Sequence, residues 1–149
     1  MATTTAASAV IERLGLRPHP EGGWYAETWR APAGGGARPS ASAILYLLGA
    51  GERSHWHKVD AAEIWQYSAG DSLEVRVWAG DGEAVVVHRL GDGMGHATET
   101  PQVVVPAGAW QAARPLGAWT LVGCIVSPAF EFDGFELAPD GWEPPVPQR

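Results

Sequence analysis

The sequence has little cysteine, little positive charge and no long apolar run. A single cysteine, Cys124, among 149 residues excludes an internal disulfide framework. The 10 Lys and Arg residues stand against 17 Asp and Glu residues, so the net charge of −7 argues against a nucleic-acid or anionic-membrane surface. No apolar run approaches the ~20 residues of a transmembrane helix, and residues 1–10 lack the basic start and apolar stretch of a secretory signal. We therefore expect a cytoplasmic protein with no nucleic-acid and no membrane partner.

Apolar and turn-forming residues are abundant instead. The chain is 46% hydrophobic and contains eight tryptophans, 19 glycines and 12 prolines. Glycine and proline interrupt helices, but they suit many short strands that are joined by turns. A length of 149 residues fits one domain and leaves enough chain for a sizeable core. The composition predicts a single β-rich domain over residues 1–149.

The order of elements along the chain predicts one helix followed by strands. The alanine-rich segment of about residues 5–14 is a short amphipathic helix, which Gly15 would end. Leu73–Trp78 alternates apolar and polar residues, as a half-buried strand does, and Asp81-Gly82 after it predicts a hairpin. No helix of crossover length separates the strands, so a sandwich or barrel is predicted over about residues 22–137. The proline-rich tail at 139–149 is expected to be irregular.

The segment with the clearest chemical pattern contains His55, His57 and Glu63. Two histidines separated by one residue share a face if the segment is extended, because side chains alternate along a strand. Glu63 begins the next strand, whose alternation puts Glu63, Trp65 and Tyr67 on a common face. Imidazole and carboxylate donors together suit a divalent transition metal such as Fe, Mn, Ni, Zn or Co.

The spacing of this segment resembles a known motif. Gly49-x5-His55-x-His57-x5-Glu63-x6-Gly70 is similar to the first motif of the cupin superfamily. Pro106-Ala-Gly-Ala-Trp-Gln111 is similar to the second motif, but Gln111 stands where that motif usually has a histidine ligand. The resemblance implies a metal held by His55, His57 and Glu63, with Gln111 either as a fourth ligand or as a hydrogen-bond partner of the substrate.

Further segments resemble one branch of that superfamily, the small single-domain cupins of the cupin type 5 family. They are Pro18-His-Pro-Glu-Gly-Gly23, Tyr25-Ala-Glu27-Thr, Ser54-His-Trp-His57, Glu63-Ile-Trp65, Val105-Pro-Ala-Gly-Ala-Trp-Gln-Ala112 and Gly123-Cys-Ile-Val-Ser-Pro-Ala-Phe130. The resemblance implies an all-β, double-stranded β-helix (a jelly-roll barrel) with a short N-terminal helix, commonly a homodimer. It implies no reaction, because this fold carries many unrelated functions.

Several side chains have both a structural and a functional interpretation. Glu27 is either solvent-exposed or a general acid/base at the barrel mouth, and Tyr67 is either core or a proton donor. Tyr25 and Trp65 are candidate substrate contacts. His19, between two prolines, is interpreted as structural in its turn.

These residues predict a small-molecule enzyme that acts in the barrel pocket. Isomerase, epimerase or lyase chemistry on a sugar- or keto-acid-like substrate, assisted by a divalent metal, is the leading hypothesis. The alternatives are an Fe-dependent oxygenase at the same ligands, metal-free acid–base chemistry by a histidine and Tyr67, and a non-catalytic ligand-binding barrel. The Gly34–Gly36 loop lacks the Lys-Ser/Thr of a phosphate loop, so no nucleotide cofactor is expected.

Overall fold

A computed structural model describes residues 6–145. Thr5, where the predicted helix would begin, and residues 146–149 of the predicted tail lie outside the described range. The described residues form one α-helix, twelve strands and one short 3₁₀-helix. In chain order these are α1 (Ala7–Leu14), β1 (Arg17–Pro18), β2 (Trp24–Arg30), β3 (Ser42–Gly49), β4 (Ser54–Val59), β5 (Ala62–Gly70), β6 (Leu73–Trp78), β7 (Val86–Leu90), β8 (Glu99–Thr100), β9 (Gln102–Val105), β10 (Trp110–Pro115), β11 (Trp119–Ser127), the 3₁₀-helix (Phe132–Gly134) and β12 (Phe135–Leu137).

The strands form two six-stranded sheets. The order in the first sheet is β1-β2-β3-β11-β5-β9, and the order in the second is β12-β4-β10-β6-β7-β8. All pairings are antiparallel except that of β7 with β8. The strand order, in which distant strands such as β3 and β11 pair, is that of a jelly-roll barrel. The predicted all-β barrel with a short N-terminal helix is confirmed.

The core lies between the sheets, where the alternating side chains of both meet. In β6, Leu73 and Val75 are buried, whereas Glu74 and Arg76 between them face outward, as the alternation predicts. The same cluster contains Tyr46, Leu48, Trp65, Leu90, Val103, Val105, Val122 and Cys124. Burial of these side chains is the main stabilising contribution to the barrel.

Two local predictions are confirmed at the connections. Gly15 caps α1 in the left-handed conformation, with φ of 66°, and its N–H donates to the carbonyl oxygen of Glu12. The predicted hairpin forms between β6 and β7. A turn precedes β7, in which the Glu83 N–H donates to the Gly80 carbonyl oxygen, and β7 therefore begins only at Val86.

The tail crosses the outer face of the second sheet. Trp142 packs its ring against Trp56, Trp78 and Trp110, with centroid distances of 6.1, 6.0 and 4.6 Å. Four of the eight tryptophans therefore lie outside the barrel interior. Among the described residues, no helix is long and apolar enough to span a bilayer.

Candidate functional site

A cavity of about 400 Å³ opens at one end of the barrel. Strands β2 to β5, β11, the β1–β2 turn and the segment 130–135 surround it, and much of its wall is aliphatic or aromatic. A well-formed apolar cavity with a few convergent polar groups is the usual form of a small-molecule site. The polar residues that line this one are His19, Glu21, Glu27, Arg30, Ser42, His57, Glu63, Cys124, Glu131 and Asp133.

The β1–β2 turn brings Glu21 to the cavity. Gly22 and Gly23 follow it with φ of 110° and 76°, a region that glycine enters without strain. A Cβ at Gly22 would lie 2.0 Å from the backbone oxygen of Arg53, so no other residue fits there. The Glu21 carbonyl oxygen accepts a hydrogen bond of 2.8 Å from the His55 N–H, which ties the turn to β4.

A buried ion pair joins Glu21 to His57. The Nε2 of His57 lies 2.7 Å from Oε2 of Glu21, and the Ser54 hydroxyl donates to the same oxygen at 2.9 Å. The Nδ1 of His57 lies 2.7 Å from the carbonyl oxygen of His55. Both ring nitrogens thus face acceptors, and only the doubly protonated ring satisfies both.

The electrostatics of this pair agree with its geometry. Burial alone would lower the pKa of His57, but the charge and hydrogen bond of Glu21, with a further contribution from Glu63, raise it to about 9. Burial alone would raise the pKa of Glu21, and the charge and hydrogen bond of His57 outweigh it, so that this pKa is lowered. At neutral pH the pair is an imidazolium and a carboxylate.

The structure does not bring His55 and His57 to one face of β4. His57 pairs with Gln111 of β10, and Ser54 pairs with Ala113, so β4 has one residue more than its partner between these pairs. This β-bulge interrupts the alternation on which the shared face was predicted. His55 lines a separate cleft of about 240 Å³, and its Nε2 lies 2.9 Å from the carbonyl oxygen of Pro139.

Glu63 is held at the cavity by a chain of buried donors. The amide Nε2 of Gln111 donates to Oε1 of Glu63 at 2.7 Å, and the indole N–H of Trp65 donates to Oε1 of Gln111 at 2.7 Å. An indole N–H can only donate, so Trp65 fixes which end of the Gln111 amide faces Glu63. Gln111 and Trp65 are 1% exposed and stand behind Glu63 rather than on the cavity wall.

Burial dominates the ionisation of Glu63. It raises the pKa to about 7, with the Glu21 charge acting in the same direction, although the His57 charge and the hydrogen bonds from Gln111 and Cys124 oppose it. Burial also raises the pKa of the Cys124 thiol well above its ordinary value, so that the thiol stays protonated. Glu63 is therefore a carboxyl that exchanges its proton near neutral pH.

His19 offers the cavity a hydrogen-bond donor. The backbone N–H of Glu21 donates to Nδ1 of His19 at 3.1 Å, so the proton of the neutral ring is on Nε2. Burial lowers the pKa of His19, and it outweighs the attraction of Glu21, whose Oε1 lies 3.5 Å from Nδ1. Within residues 6–145 no hydrogen-bond partner is found for Nε2, which leaves its N–H available to a molecule in the cavity.

Glu27 and Tyr25 both line the cavity, and for Glu27 this position agrees with one of the two interpretations that the sequence left open. Glu27 lies at the mouth, where Arg30 binds both of its carboxylate oxygens, at 2.7 and 3.3 Å. Arg30 also donates to the carbonyl oxygen of Phe130 at 2.8 Å. The Tyr25 ring packs edge-on against His19, with a centroid distance of 4.6 Å.

Tyr67 shares the inward face of β5 with Glu63, as the alternation predicts, but it does not line the cavity. It lies four residues beyond Glu63, about 13 Å along an extended strand. Its hydroxyl donates to the carbonyl oxygen of Gly70 at 2.6 Å. The structure therefore does not bring the predicted acid–base residues Glu27 and Tyr67 together.

The predicted metal ligands do not fit a divalent ion in this arrangement. His55 lies outside the cavity, both nitrogens of His57 face acceptors, and the amide oxygen of Gln111 is bound by Trp65. Across residues 6–145 no three His, Cys, Asp or Glu side chains converge in a way that could hold a metal. The bulge in β4 accounts for the position of His55, whereas His57 and Gln111 are engaged by Glu21 and Trp65.

Sequence reasoning missed Glu21, and it gave His19 only the structural role in the turn that the hydrogen bond from the Glu21 N–H supports. Both belong to the segment Pro18–Gly23, which carried only the family resemblance. The available signal was a carboxylate followed by two glycines, a pattern that lets the backbone pass close to another strand.

The comparisons with known proteins agree with the fold. The family model described as Cupin superfamily (DUF985), cupin type 5, matches residues 8–138, and the chain belongs to this family. A crystal structure of a Shewanella oneidensis protein is 37% identical with a TM-score of 0.84, covering 91% of this chain and 85% of that one. A hypothetical protein from Leishmania major is 31% identical with a TM-score of 0.79, covering 89% and 86%.

More distant structures share the fold alone. Oxalate decarboxylase from Bacillus subtilis is 15% identical with a TM-score of 0.61, and the match covers 80% of this chain and 29% of that one. No protein of curated function matches the chain.

Proposed function

We propose that this protein is a small-molecule enzyme that moves a proton at a carbon next to a carbonyl group. Isomerases, epimerases and lyases share this step. The observation that supports the proposal is that a buried carboxyl, Glu63, and a neutral imidazole N–H without a partner in residues 6–145, that of His19, line the same cavity.

Glu63 is the proposed general base and acid. A base works best when its pKa lies near the operating pH, and the pKa of Glu63 is about 7. Its carboxylate takes the proton from the carbon, and the C–H electron pair forms the carbon–carbon double bond of an enolate. The same carboxyl then returns the proton on the side from which it was taken, either to that carbon or to the neighbouring carbon.

His19 is the proposed partner of the substrate oxygen. Negative charge develops on the carbonyl oxygen as the proton leaves, and a hydrogen bond from the Nε2–H of His19 stabilises it there. The neutral ring suits this role, because it stays a donor at Nε2 while Nδ1 accepts from the Glu21 backbone at 3.1 Å. The positive charge of His57 lies near Glu63 and favours the carboxylate form of the base.

The donors that the sequence suggested for a divalent ion do not converge within residues 6–145, so the proposed proton transfer uses side chains of the protein alone. The Fe-dependent oxygenase hypothesis uses the same ligands and meets the same difficulty. The cavity of about 400 Å³ suits a compact polar molecule, such as a monosaccharide-sized carbonyl compound.

Deuterium exchange tests this proposal directly. A panel of monosaccharide-sized aldoses, ketoses and related amino and deoxy compounds is first screened for binding by ligand-observed NMR. Each compound that binds is then incubated with the protein in D₂O, and we expect loss of the proton next to the carbonyl. The variant Glu63→Gln should lower the exchange rate by at least about 100-fold, because general acid–base catalysis typically contributes that much.

The variant Glu12→Gln on α1 is the matched control, because it removes a carboxylate outside the cavity. Compounds that bind in the cavity and come back without deuterium would reject the enzyme hypothesis and favour the non-catalytic binding barrel.

The homodimer that the family resemblance implies stays a proposal. Trp29, Ile125 and Val104 are 53%, 38% and 57% exposed. Ala43 pairs with both Trp29 and Ile125, and Ile64 pairs with both Ile125 and Val104. These five side chains therefore form one row across the first sheet, in the order Trp29, Ala43, Ile125, Ile64 and Val104. An apolar row of this kind is the surface that a second copy would cover.

A further inference from the structure

The residues that line the cavity include more acidic than basic side chains. Among residues 6–145, five carboxylate residues line it, whereas the only lining groups that carry a positive charge are Arg30 and His57. Both cations are already bound by the protein. Arg30 donates to Glu27 and to the carbonyl oxygen of Phe130, and His57 donates to Glu21 and to the carbonyl oxygen of His55. The described part of the chain therefore offers no free cation in the cavity to receive an anionic substrate.

Two carboxylates at the cavity are unpaired. In the described part of the chain, the side chains of Glu131 and Asp133 make no hydrogen bond and no ion pair. Glu131 acts on Arg30 and Arg38 only through longer-range attraction. Arg38 is itself bound to Asp60 through two hydrogen bonds of 2.9 and 2.8 Å.

Aromatic rings alternate with these carboxylates. The segment 130–135 reads Phe-Glu-Phe-Asp-Gly-Phe, and all three phenylalanines line the cavity. Phe130 contacts Phe132 and Phe135 edge-on, with centroid distances of 5.0 and 5.6 Å. Phe132 is 56% exposed, although a large apolar side chain is normally buried.

Such a surface is complementary to an organic cation. The face of an aromatic ring carries negative electrostatic potential, so it attracts an ammonium group and also packs against the carbon atoms next to it. The carboxylates of Glu131 and Asp133 add attraction of the same sign. An anion would meet repulsion from every unpaired charge at this rim.

We propose that the cavity takes a substrate with a protonated amine, which Glu131, Asp133 and the three phenylalanines bind at the rim. The inner end of the substrate, which carries the carbonyl or hydroxyl oxygen, then faces the Nε2–H of His19. This inference rests on the proposed function for the position of the reacting group, and it decides against the keto-acid substrates that the sequence left open. Amino sugars and amino ketones have the required chemistry.

Binding of three matched probes tests the proposal without any turnover. Benzylammonium, benzyl alcohol and benzoate have nearly the same size and differ in charge, so their dissociation constants at neutral pH isolate the charge. We expect benzylammonium to bind about 10-fold or more tightly than benzyl alcohol, and benzoate to bind most weakly, because charge attraction and cation–π contact act together. Added salt should reduce the difference in affinity between benzylammonium and the other two probes, because it screens the charges.

The double variant Glu131→Gln with Asp133→Asn should remove most of the preference for benzylammonium and leave the affinity for benzyl alcohol unchanged. Glu136→Gln is the matched control, because Glu136 is close in sequence and charged but lies outside the cavity, paired with Lys58 at 3.3 Å. The proposal is overturned if benzoate or benzyl alcohol binds as tightly as benzylammonium, if none of the three binds, or if the control variant loses as much affinity as the double variant.

The two proposals fail separately. If the protein prefers benzylammonium but catalyses no deuterium exchange, the enzyme hypothesis is contradicted and the proposal of a cationic ligand is supported. If the protein catalyses deuterium exchange on neutral or anionic compounds and does not prefer benzylammonium, the enzyme hypothesis is supported and the proposal of a cationic substrate is contradicted.

Discussion

Gln111 contacts Glu63 and does not line the cavity in which a molecule would bind. Its amide donates to the carboxyl of Glu63, and the indole of Trp65 holds that amide in place. The family resemblance suggested a metal ligand or a substrate contact at this position, whereas we propose a positioning role, because Gln111 is buried behind Glu63 and its amide donates to that carboxyl. A neutral donor here stabilises the charged carboxylate without adding a second ionisable group.

Replacing Gln111 with methionine should therefore raise the pKa of Glu63 above its value of about 7, since the hydrogen bond from Gln111 lowers it. The variant also leaves the indole N–H of Trp65 without its acceptor, at a cost of about 1–3 kcal/mol in unfolding free energy. Carboxyl ¹³C NMR titration measures the pKa, and urea unfolding measures the stability. Gln102→Met, on the surface, is the control, and an unchanged pKa of Glu63 in Gln111→Met would contradict the assigned role.

At the scale of elements, alternation predicted which side chains are inside wherever the strands are regular. In β6 and β5 the inward residues are those that the sequence indicates. The argument failed in β4, because the bulge depends on how β4 pairs with β10, and a strand's own sequence does not contain that pairing. Glu21 was missed as a site residue for a similar reason, since the shape of its turn is set by contact with the distant Arg53 backbone.

That turn should tolerate no side chain after Glu21. Gly22→Ala would place a Cβ 2.0 Å from the Arg53 oxygen at a φ of 110°, so we expect a loss of about 2 kcal/mol or more in unfolding free energy. Displacement of Glu21 should also lower the pKa of His57, which ¹H NMR of the imidazole reports. Gly51→Ala is the matched control, because it has a φ of 78° and open space around it. Equal losses in the two variants would mean that the contact with Arg53 is unimportant.

For the whole molecule, the all-β class and the barrel were predictable, while the charges of the barrel interior were not. The sequence shows a net charge of −7 but does not reveal that Glu21, Glu63 and His57 are buried together. Burial of ionisable groups depends on the closed barrel, because only the paired sheets exclude water from them. The stability of the fold should consequently depend on pH in a way that surface charges alone would not cause.

We expect the unfolding free energy to be highest near pH 5 and to fall as the pH rises to about 9. The folded protein raises the pKa of Glu63 from 4.5 to about 7, so it binds this proton more tightly than the unfolded chain does, and that stability is lost between these two values. The raised pKa of His57, from 6.5 to about 9, acts in the same direction, and its stability is lost between those values. Glu21 and His19 act oppositely, because their lowered pKa values contribute stability that is lost as the pH falls below 4.5 and 6.5, respectively.

Each raised pKa corresponds to a loss of unfolding free energy on the order of 3 kcal/mol between the unfolded and the folded pKa of the group. This follows from about 1.4 kcal/mol for each unit by which the two pKa values differ. Urea unfolding at intervals between pH 4 and pH 9 measures the profile. Glu63→Gln should flatten the part between 4.5 and 7 and largely keep the decline towards 9, because the Glu21–His57 pair remains. Stability that rises from pH 5 to pH 9 would show that these groups are not buried together in the folded protein.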